Sequence, residues 1–302
     1  MDNKIAILDP GFLYNHIIKE NEIKIVSQFL PVNIETLILQ KNIEFKKINI
    51  LYIDDYNISY DNKIAIVKKL NTYNFEYRSL TDFYEKYHEK AALIYDNGVL
   101  FYPFYLNEFK EKKYFSILFR LLDILFSSIL LPFAFIIILI ACFLLLIKSG
   151  SPLFFTQERI GKNAKVFKIY KIRTMVNSGS MAHTVSNDNR IFPLGMFFRK
   201  FKIDELPQLL NILKGDMSFF GPRPERLDLH INICNSIPIF EKRLLVSPGL
   251  TGWAQIKNPK ATPNESFEKL QYDIYFIKNV SFNMLSKIVL NTIEILLKKN
   301  SN

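Results

Sequence analysis

Cysteine is nearly absent from this chain: Cys142 and Cys234 are the only two in 302 residues, and they lie far apart. Cys142 sits inside an apolar run, so neither a disulfide framework nor a zinc-binding spacing is indicated. A reducing, cytoplasm-facing compartment fits that usage. Histidine is scarce as well. His16, His88, His183 and His230 show no ligand spacing and read as ordinary surface or packing residues rather than catalytic bases. No Gly-x-Gly-x-x-Gly fingerprint occurs, which removes support for dinucleotide binding. Met1 to Pro10 mixes polar and apolar residues with no signal-peptide core behind it, so the first hundred residues are expected to stay in the cytoplasm.

What the chain has in quantity is apolar and basic side chains. Hydrophobic residues make up 49%, enough for one large domain or two modest ones with a sizeable core. The 39 Lys+Arg exceed the 29 Asp+Glu by ten, which suggests an anionic partner: phosphorylated substrates, anionic lipid or nucleic acid. Charge alone does not choose among them.

Composition divides the chain into three. Residues 1 to 112 are rich in Ile, Asn, Lys and Tyr. Apolar Ile48 to Ile53 reads as a buried strand, Asp61 to Leu70 as a helix, Phe75 to Leu80 as a second strand and Thr81 to Glu85 as a capped helix start. Alternation of that kind is an α/β pattern, and a small scaffold or docking domain is its plainest meaning. Tyr114 to Ile147 is apolar throughout except for Arg120 and Asp123, three residues apart and so on one helical face. The charge-free stretch from Ile124 to Ile147 is longer than the ~20 residues a bilayer-crossing helix needs, which places it in a membrane. Pro132 removes a backbone donor inside it, and a kink or break is expected there. Basic residues flank both sides, Lys110, Lys112 and Lys113 before and Lys148, Arg159 and Lys162 after. A crossing helix carries such charge mainly on one side, so the symmetric flanks favour a helix that enters and returns to the same face. A kinked crossing helix is the alternative.

The remainder, Ser149 to Asn302, is dense in short motifs. Arg199-Lys200-Phe201-Lys202-Ile203-Asp204-Glu205-Leu206-Pro207-Gln208 sets two carboxylates after three basic residues. Pro207 suits the first turn of a helix that Leu206, Leu209, Leu210 and Leu213 continue. Asp204 would then lie at the helix start, either as a simple cap or where an arriving phosphate meets free N–H groups, basic side chains and a carboxylate together. Lys214-Gly215-Asp216-Met217-Ser218 and Gly221-Pro222-Arg223-Pro224-Glu225 follow at once. Pro222 and Pro224 fix the backbone around Arg223 and aim its guanidinium, a good device for holding phosphate. Upstream, Phe167 to Met175 alternates apolar and basic residues, which would put Lys168, Lys171 and Arg173 on one strand face. Downstream, Ser247-Pro248-Gly249-Leu250-Thr251-Gly252-Trp253-Ala254-Gln255 reads as a rigid turn carrying Trp253, the only tryptophan. Near the end, Leu285, Ile288, Val289, Thr292, Ile293 and Leu296 follow helical spacing, with Lys287, Lys298 and Lys299 placed for lipid headgroups or for a helix packed on the core.

Taken together, these motifs resemble the monotopic phosphoglycosyl transferases of the bacterial sugar transferase family, over about residues 113 to 297. The resemblance rests on the apolar anchor, Lys-Ile-Arg-Thr-Met, Asp-Glu-Leu-Pro-Gln, Gly-Asp-Met-Ser, Gly-Pro-Arg-Pro and Pro-Gly-Leu-Thr-Gly-Trp-Ala-Gln, in the family's order and spacing. It implies a re-entrant helix broken near its middle, in agreement with Pro132. It implies that Asp204 attacks the sugar-bearing phosphate of a UDP-sugar, releases UMP, and passes the phosphosugar on to polyprenyl phosphate. Mg²⁺ with Glu205 as ligand would offset the repulsion between anions, and Arg199, Arg223, Lys171 and Arg173 match phosphate-holding positions. Pro207, Pro222, Pro224 and Trp253 are structural on this reading.

Three departures stand out. The family often has acidic residues after its Arg-Thr-Met strand, whereas Val176 to Val185 contains none, so the sugar's identity is not carried over. Phe219-Phe220 replaces smaller aliphatic residues, a change of packing, and Ser247 stands where many relatives are basic. Phe75 to Leu93 resembles the end of a cytoplasmic α/β domain found in some longer relatives.

The expectation is therefore a mixed, helix-rich α/β protein. Residues 1–112 form a cytoplasmic α/β domain, 113–148 a re-entrant membrane helix and 149–302 a catalytic domain with amphipathic interfacial helices. Its partners are a UDP-sugar, polyprenyl phosphate and anionic membrane lipid at the cytoplasmic membrane, with no nucleic acid and a homo-oligomer left open. The competing readings are a membrane glycosyltransferase that releases UDP and a non-catalytic membrane scaffold.

Overall fold

The computed structural model describes residues 5–8, 25–29, 50–53, 68, 76–96, 99–101, 113–176, 188, 190–259 and 265–298. The chain forms two compact units, Met1–Phe109 and Lys110–Asn302.

In the first unit, β1 (Ile5–Leu8), β2 (Ile25–Phe29), β3 (Ile50–Ile53) and β4 (Glu76–Ser79) form a parallel sheet in the order β2-β1-β3-β4. The apolar run expected as a strand is β3, and it pairs on both sides, as an unbroken run of this kind does in a parallel sheet. Helix α1 (Leu80–His88) follows β4 directly. Its cap is Ser79 rather than Thr81: the Ser79 hydroxyl accepts the Asp82 N–H at 3.2 Å. Thr81 instead points inward and is buried. A short antiparallel hairpin of β5 (Ile94–Asp96) and β6 (Val99–Phe101) comes next. The helix expected over Asp61 to Leu70 lies outside the described residues except for Lys68.

The second unit is organised by α2 (Lys113–Ser149), a 37-residue helix. By length and composition it is the one helix among the described residues that could cross a membrane. Its buried positions, Asp123, Ser127, Ala134, Ala141, Cys142 and Leu145, repeat at helical spacing and make one stripe. The rest of its surface, from Ile117 and Leu121 through Phe133 to Phe143 and Ile147, is exposed and apolar. Pro132 lies inside the helix and does not end it, so of the kink or break expected there the break is excluded and a bend within a continuous helix is the form left. The buried stripe continues on both sides of that proline. Ala134 packs on Phe167, Ile169, Leu209, Ile212 and Met217, while Ala141 and Leu145 pack on Ile172 and Phe198.

Two elements, together with Phe198 of α3 (Pro193–Lys200), take up that stripe. One is the hairpin of β7 (Phe154–Ile160) and β8 (Val166–Ile172), paired over seven residues. The other is α4 (Gln208–Lys214), which follows α3 and a 3₁₀ turn at Ile203–Glu205. The charged pair inside the apolar helix explains the Lys214 to Ser218 motif. Arg120 donates to the carbonyls of Ile212 and Leu213, both at 2.7 Å, at the negative end of α4. Gly215 closes that helix at φ +90°, and a side chain there would also approach the Arg120 guanidinium at 3.3 Å. Asp123 accepts from the Ser218 hydroxyl at 3.1 Å and the Phe219 N–H at 2.9 Å, at the start of β9 (Ser218–Phe220). Phe219 and Phe220 meet Phe126 and Phe119 of α2, so the bulkier pair is a packing change against this helix.

The chain continues through α5 (Leu227–Ser236), a 3₁₀ segment (Pro238–Leu245), β10 (Gly249–Thr251), α6 (Trp253–Lys257), α7 (Ser266–Asn279) and α8 (Phe282–Lys298). β10 pairs in parallel with β9. In α8, Met284, Leu285 and Ile288 are buried and Thr292 bonds Thr251, whereas Val289, Leu290, Ile293 and Leu297 are exposed. The helix thus packs by one side and keeps an apolar outer side, where the sequence had offered the two as alternatives.

Asp123 is expected to anchor α2. Asp123→Ala leaves the Phe219 N–H and the Ser218 hydroxyl without their acceptor, which should cost about 1–3 kcal/mol of stability. Ser218→Ala should cost about 1 kcal/mol. Thermal unfolding in detergent checks the order, and an unchanged midpoint for Asp123→Ala would contradict it.

Candidate active site

The site begins where α3 ends. Pro193 opens that helix and Gly195 lies so close to the main chain of Thr174 that a Cβ would come within 2.2 Å of its carbonyl oxygen. This close seat lets Arg199, one helical turn on, donate to the Thr174 hydroxyl at 2.8 Å. The chain then reverses through Lys202, in the left-handed region at φ +58°, into the 3₁₀ turn that carries Asp204 and Glu205. Pro207 leads straight into α4, so both carboxylates precede a helix start, as the sequence indicates.

Both are buried, yet they differ in every other respect. Glu205 collects cations: its Oε1 lies 2.9 Å from the Lys171 ammonium and 2.9 Å from the Arg223 guanidinium, and its Oε2 lies 3.6 Å from Lys202. Burial works to raise its carboxyl, but Arg223, Lys171 and Lys202 outweigh this and hold it well below the usual range. Asp204 has a buried Oδ1 with no hydrogen-bond partner. Burial, and then the neighbouring Glu205 charge, push its carboxyl upward against the pull of Lys171, Lys202 and Arg199. An orphaned carboxylate oxygen in such a place costs roughly 1–3 kcal/mol and lacks a partner within the folded chain.

The two glycine-rich motifs are one piece of architecture. A Cβ on Gly249 would come within 2.2 Å of the Gly221 nitrogen, and one on Gly252 within 2.1 Å of the Gly221 oxygen. Only glycine permits this contact, which sets Pro222-Arg223-Pro224 against β10 and brings Arg223 to Glu205. Trp253 is buried at the start of α6 near Tyr275, a structural position.

The structure therefore gathers Asp204, Glu205, Lys171, Arg199 and Arg223 in one place. Arg173 stands apart. Its guanidinium donates to the carbonyls of Ser149 and Gly150 at 2.7 Å and of Ser151 at 3.3 Å, fastening the end of α2. Nor do the basic residues of β8 share one face: Lys168 is exposed, while Lys171 turns in to Glu205. Lys202 completes the cation set and was not singled out from the sequence, although it lies within the Arg199 to Gln208 motif. The loop from 177 to 185 lies outside the described residues. Among the described residues no group of three His, Cys, Asp or Glu side chains forms a metal cage.

A buried carboxylate with an unpartnered oxygen thus stands beside one that gathers three cations, an arrangement suited to receiving an anionic group. Comparison with known sequences agrees. The profile of the family described as "Bacterial sugar transferase" matches residues 114–299. The chain belongs to that family. It is 37% identical to the UDP-N-acetylgalactosamine-undecaprenyl-phosphate N-acetylgalactosaminephosphotransferase of Aeromonas hydrophila, over 59% of this chain and 43% of that protein. It is 39% identical to the uncharacterized sugar transferase EpsL of Bacillus subtilis, over 59% of this chain and 86% of that one. It is 34% identical to the UDP-glucose:undecaprenyl-phosphate glucose-1-phosphate transferase of Caulobacter vibrioides, over 59% and 69%. The chain thus spans under half the length of the Aeromonas relative and more of the other two.

The contrast between the carboxylates has a thermodynamic consequence. Asp204→Asn removes a buried charge that burial and Glu205 disfavour more than Lys171, Lys202 and Arg199 favour it, so stability should stay level or rise. Glu205→Gln strands the half-buried Lys171 and should cost on the order of 2 kcal/mol, with water absorbing part of the loss, most at the more exposed Arg223 and Lys202. Unfolding midpoints check this, and a larger drop for Asp204→Asn than for Glu205→Gln would contradict it.

Proposed function

We propose that this chain transfers a sugar-1-phosphate from a UDP-sugar to a polyprenyl phosphate through a covalent intermediate on Asp204. The observation that carries the reading is the buried Asp204 oxygen, without a partner and beside a carboxylate that concentrates three cations. A carboxylate needs no base to become a nucleophile at neutral pH, and a covalent route divides one difficult displacement into two easier ones. In the first, Asp204 attacks the sugar-bearing phosphorus, an Asp O–P bond forms, the P–O bond to UMP breaks and UMP leaves. In the second, a phosphate oxygen of the polyprenyl phosphate attacks the same phosphorus and Asp204 leaves as a free carboxylate. No electrons change hands. The product is a polyprenyl diphosphate sugar, the first membrane-bound step of a bacterial polysaccharide or glycoconjugate.

Arg199, Arg223, Lys171 and Lys202 hold phosphate oxygens and offset the meeting of two anions. Arg173, engaged with three carbonyls, is left out of this role. A magnesium ion arriving with substrate phosphates needs only one or two protein carboxylates, and Glu205 would hold it only by exchanging one of its three present cations for the ion. Bound there, the ion would supply further neutralisation of the diphosphate charge.

On this reading α2 is a re-entrant helix in the cytoplasmic membrane with the catalytic unit on the cytoplasmic side. Support comes from its contacts: Arg120 and Asp123 before Pro132, and Ala141 and Leu145 after it, pack on the same unit. A helix that left the unit to cross a bilayer would carry one of those halves away from it. The exposed apolar side then meets lipid, and exposed Lys113 and Lys148 at its two ends meet anionic headgroups, while Arg159 turns inward to the Pro224 carbonyl instead.

Purified protein given polyprenyl phosphate and a panel of UDP-sugars is expected to release UMP with at least one donor. Release of UDP would mean glycosyl transfer, and release of neither would leave the scaffold reading. For topology, single cysteines at positions 107 and 151, in a background without Cys142 and Cys234, should both resist an impermeant thiol reagent added to intact cells. Labelling at 107 alone would establish a crossing helix.

A further inference from the structure

The segment that carries Arg223 is held by its carbonyls. Pro222 and Pro224 have no N–H to offer, so at those two positions the backbone can be gripped only through its oxygen atoms. The Pro222 carbonyl accepts from Gly249 N–H at 2.8 Å, and the Glu225 carbonyl from Ile160 N–H at 3.0 Å. Between them two guanidiniums take the remaining pair. Arg243 donates to the Arg223 carbonyl at 3.0 Å and Arg159 to the Pro224 carbonyl at 3.2 Å. Four consecutive carbonyls are thus tied to three different elements, while the Arg223 side chain reaches to Glu205.

Arg243 is itself deeply buried, at 3% exposure. Asp273 of α7 orients it, with Oδ2 at 3.0 Å from Nε and 2.7 Å from a terminal nitrogen. The other terminal nitrogen faces Glu225 at 3.4 Å, Lys269 pairs with the same Glu225 oxygen, and the Phe240 ring lies 4.6 Å beneath the guanidinium. Burial would raise the Glu225 carboxyl, yet Lys269, Arg243 and Arg159 hold it at about 2. A buried set of two cations and two anions contributes little net stability, because desolvation offsets attraction. What it does provide is a single allowed arrangement, and here that arrangement terminates on the backbone of Arg223.

We infer that Arg243, oriented by Asp273, is a positioning residue for the transfer: it fixes the main chain of Arg223 so that the guanidinium meets Glu205 and the substrate phosphate from one direction. The inference rests on the phosphate-holding role of Arg223 proposed above. Arg243→Lys keeps the charge, but one ammonium cannot serve Asp273, Glu225 and the Arg223 carbonyl in a plane. With the donor identified by UMP release, kcat/KM should fall on the order of 10- to 100-fold, the loss a displacement of about 1 Å produces. Assays run below the unfolding midpoint of each variant, so that folded protein is compared with folded protein.

The deciding readout is coupling. If Arg243 acts through Arg223, Arg243→Lys combined with Arg223→Ala should be no slower than Arg223→Ala alone. Losses that multiply would overturn the inference, and so would a parental rate for Arg243→Lys. Asp273→Asn should show the same coupling. If both buried variants fail to fold, Arg159→Gln, which releases the adjacent Pro224 carbonyl, carries the test, and independent losses there would equally overturn it. An Arg223→Ala protein at the parental rate, or a parent that releases no UMP with any donor, would instead overturn the reading of the site beneath it.

Discussion

The ion pairs of Glu205 are the constraint around which the catalytic unit is arranged. Lys171 arrives from β8, Lys202 from the turn before the carboxylates, and Arg223 from the segment between the two prolines. Each must be delivered by a separate piece of chain, and each piece is anchored with little freedom. β8 is pinned by its hairpin partner and by the α2 stripe, the turn by Thr174 and Gly195, and the Arg223 segment by its four carbonyls. With Glu205 neutralised in this way, the adjacent Asp204 keeps a buried oxygen that nothing in the fold satisfies. The site is costly to maintain, and the surrounding packing has to offset that cost.

The long apolar helix belongs to the same economy of contacts. It is the surface on which β8, α3 and α4 are assembled, since one stripe of α2 packs against all of them. Arg120 caps α4 at the end opposite the carboxylates, and Asp123 holds the start of β9, three residues before Gly221. A helix that, on the proposed reading, meets the membrane with one side therefore carries the elements of the site on the other.

Much of this was legible in the sequence. The length of the charge-free run identified α2, and Asp204-Glu205 before Pro207 located the turn and the helix that follows. Proline on either side of Arg223 marked a fixed guanidinium. What escaped was the use made of residues whose type is ambiguous. Arg173 shares its strand with Lys171, and only the path of the chain shows that it fastens the end of α2 instead. Lys168 and Lys171 alternate with apolar residues, but being three apart in a strand they point to opposite faces. Thr81 reads as a cap as readily as Ser79 does, and only the position of the first helical residue separates them. Arg243 and Asp273 lie thirty residues apart with no local pattern around them, so their pairing was invisible until the fold brought them together.

All of this converges on one atom, the free oxygen of Asp204, and on the claim that it becomes bonded to phosphorus. The most direct measurement is the intact mass of the purified protein after incubation with its UDP-sugar donor alone, without polyprenyl phosphate. The account predicts a gain of one sugar phosphate, located on Asp204 by fragmentation, absent from Asp204→Asn, and discharged when polyprenyl phosphate is added. An unmodified mass, together with UMP release only when both substrates are present, would contradict it and point to direct transfer in a ternary complex.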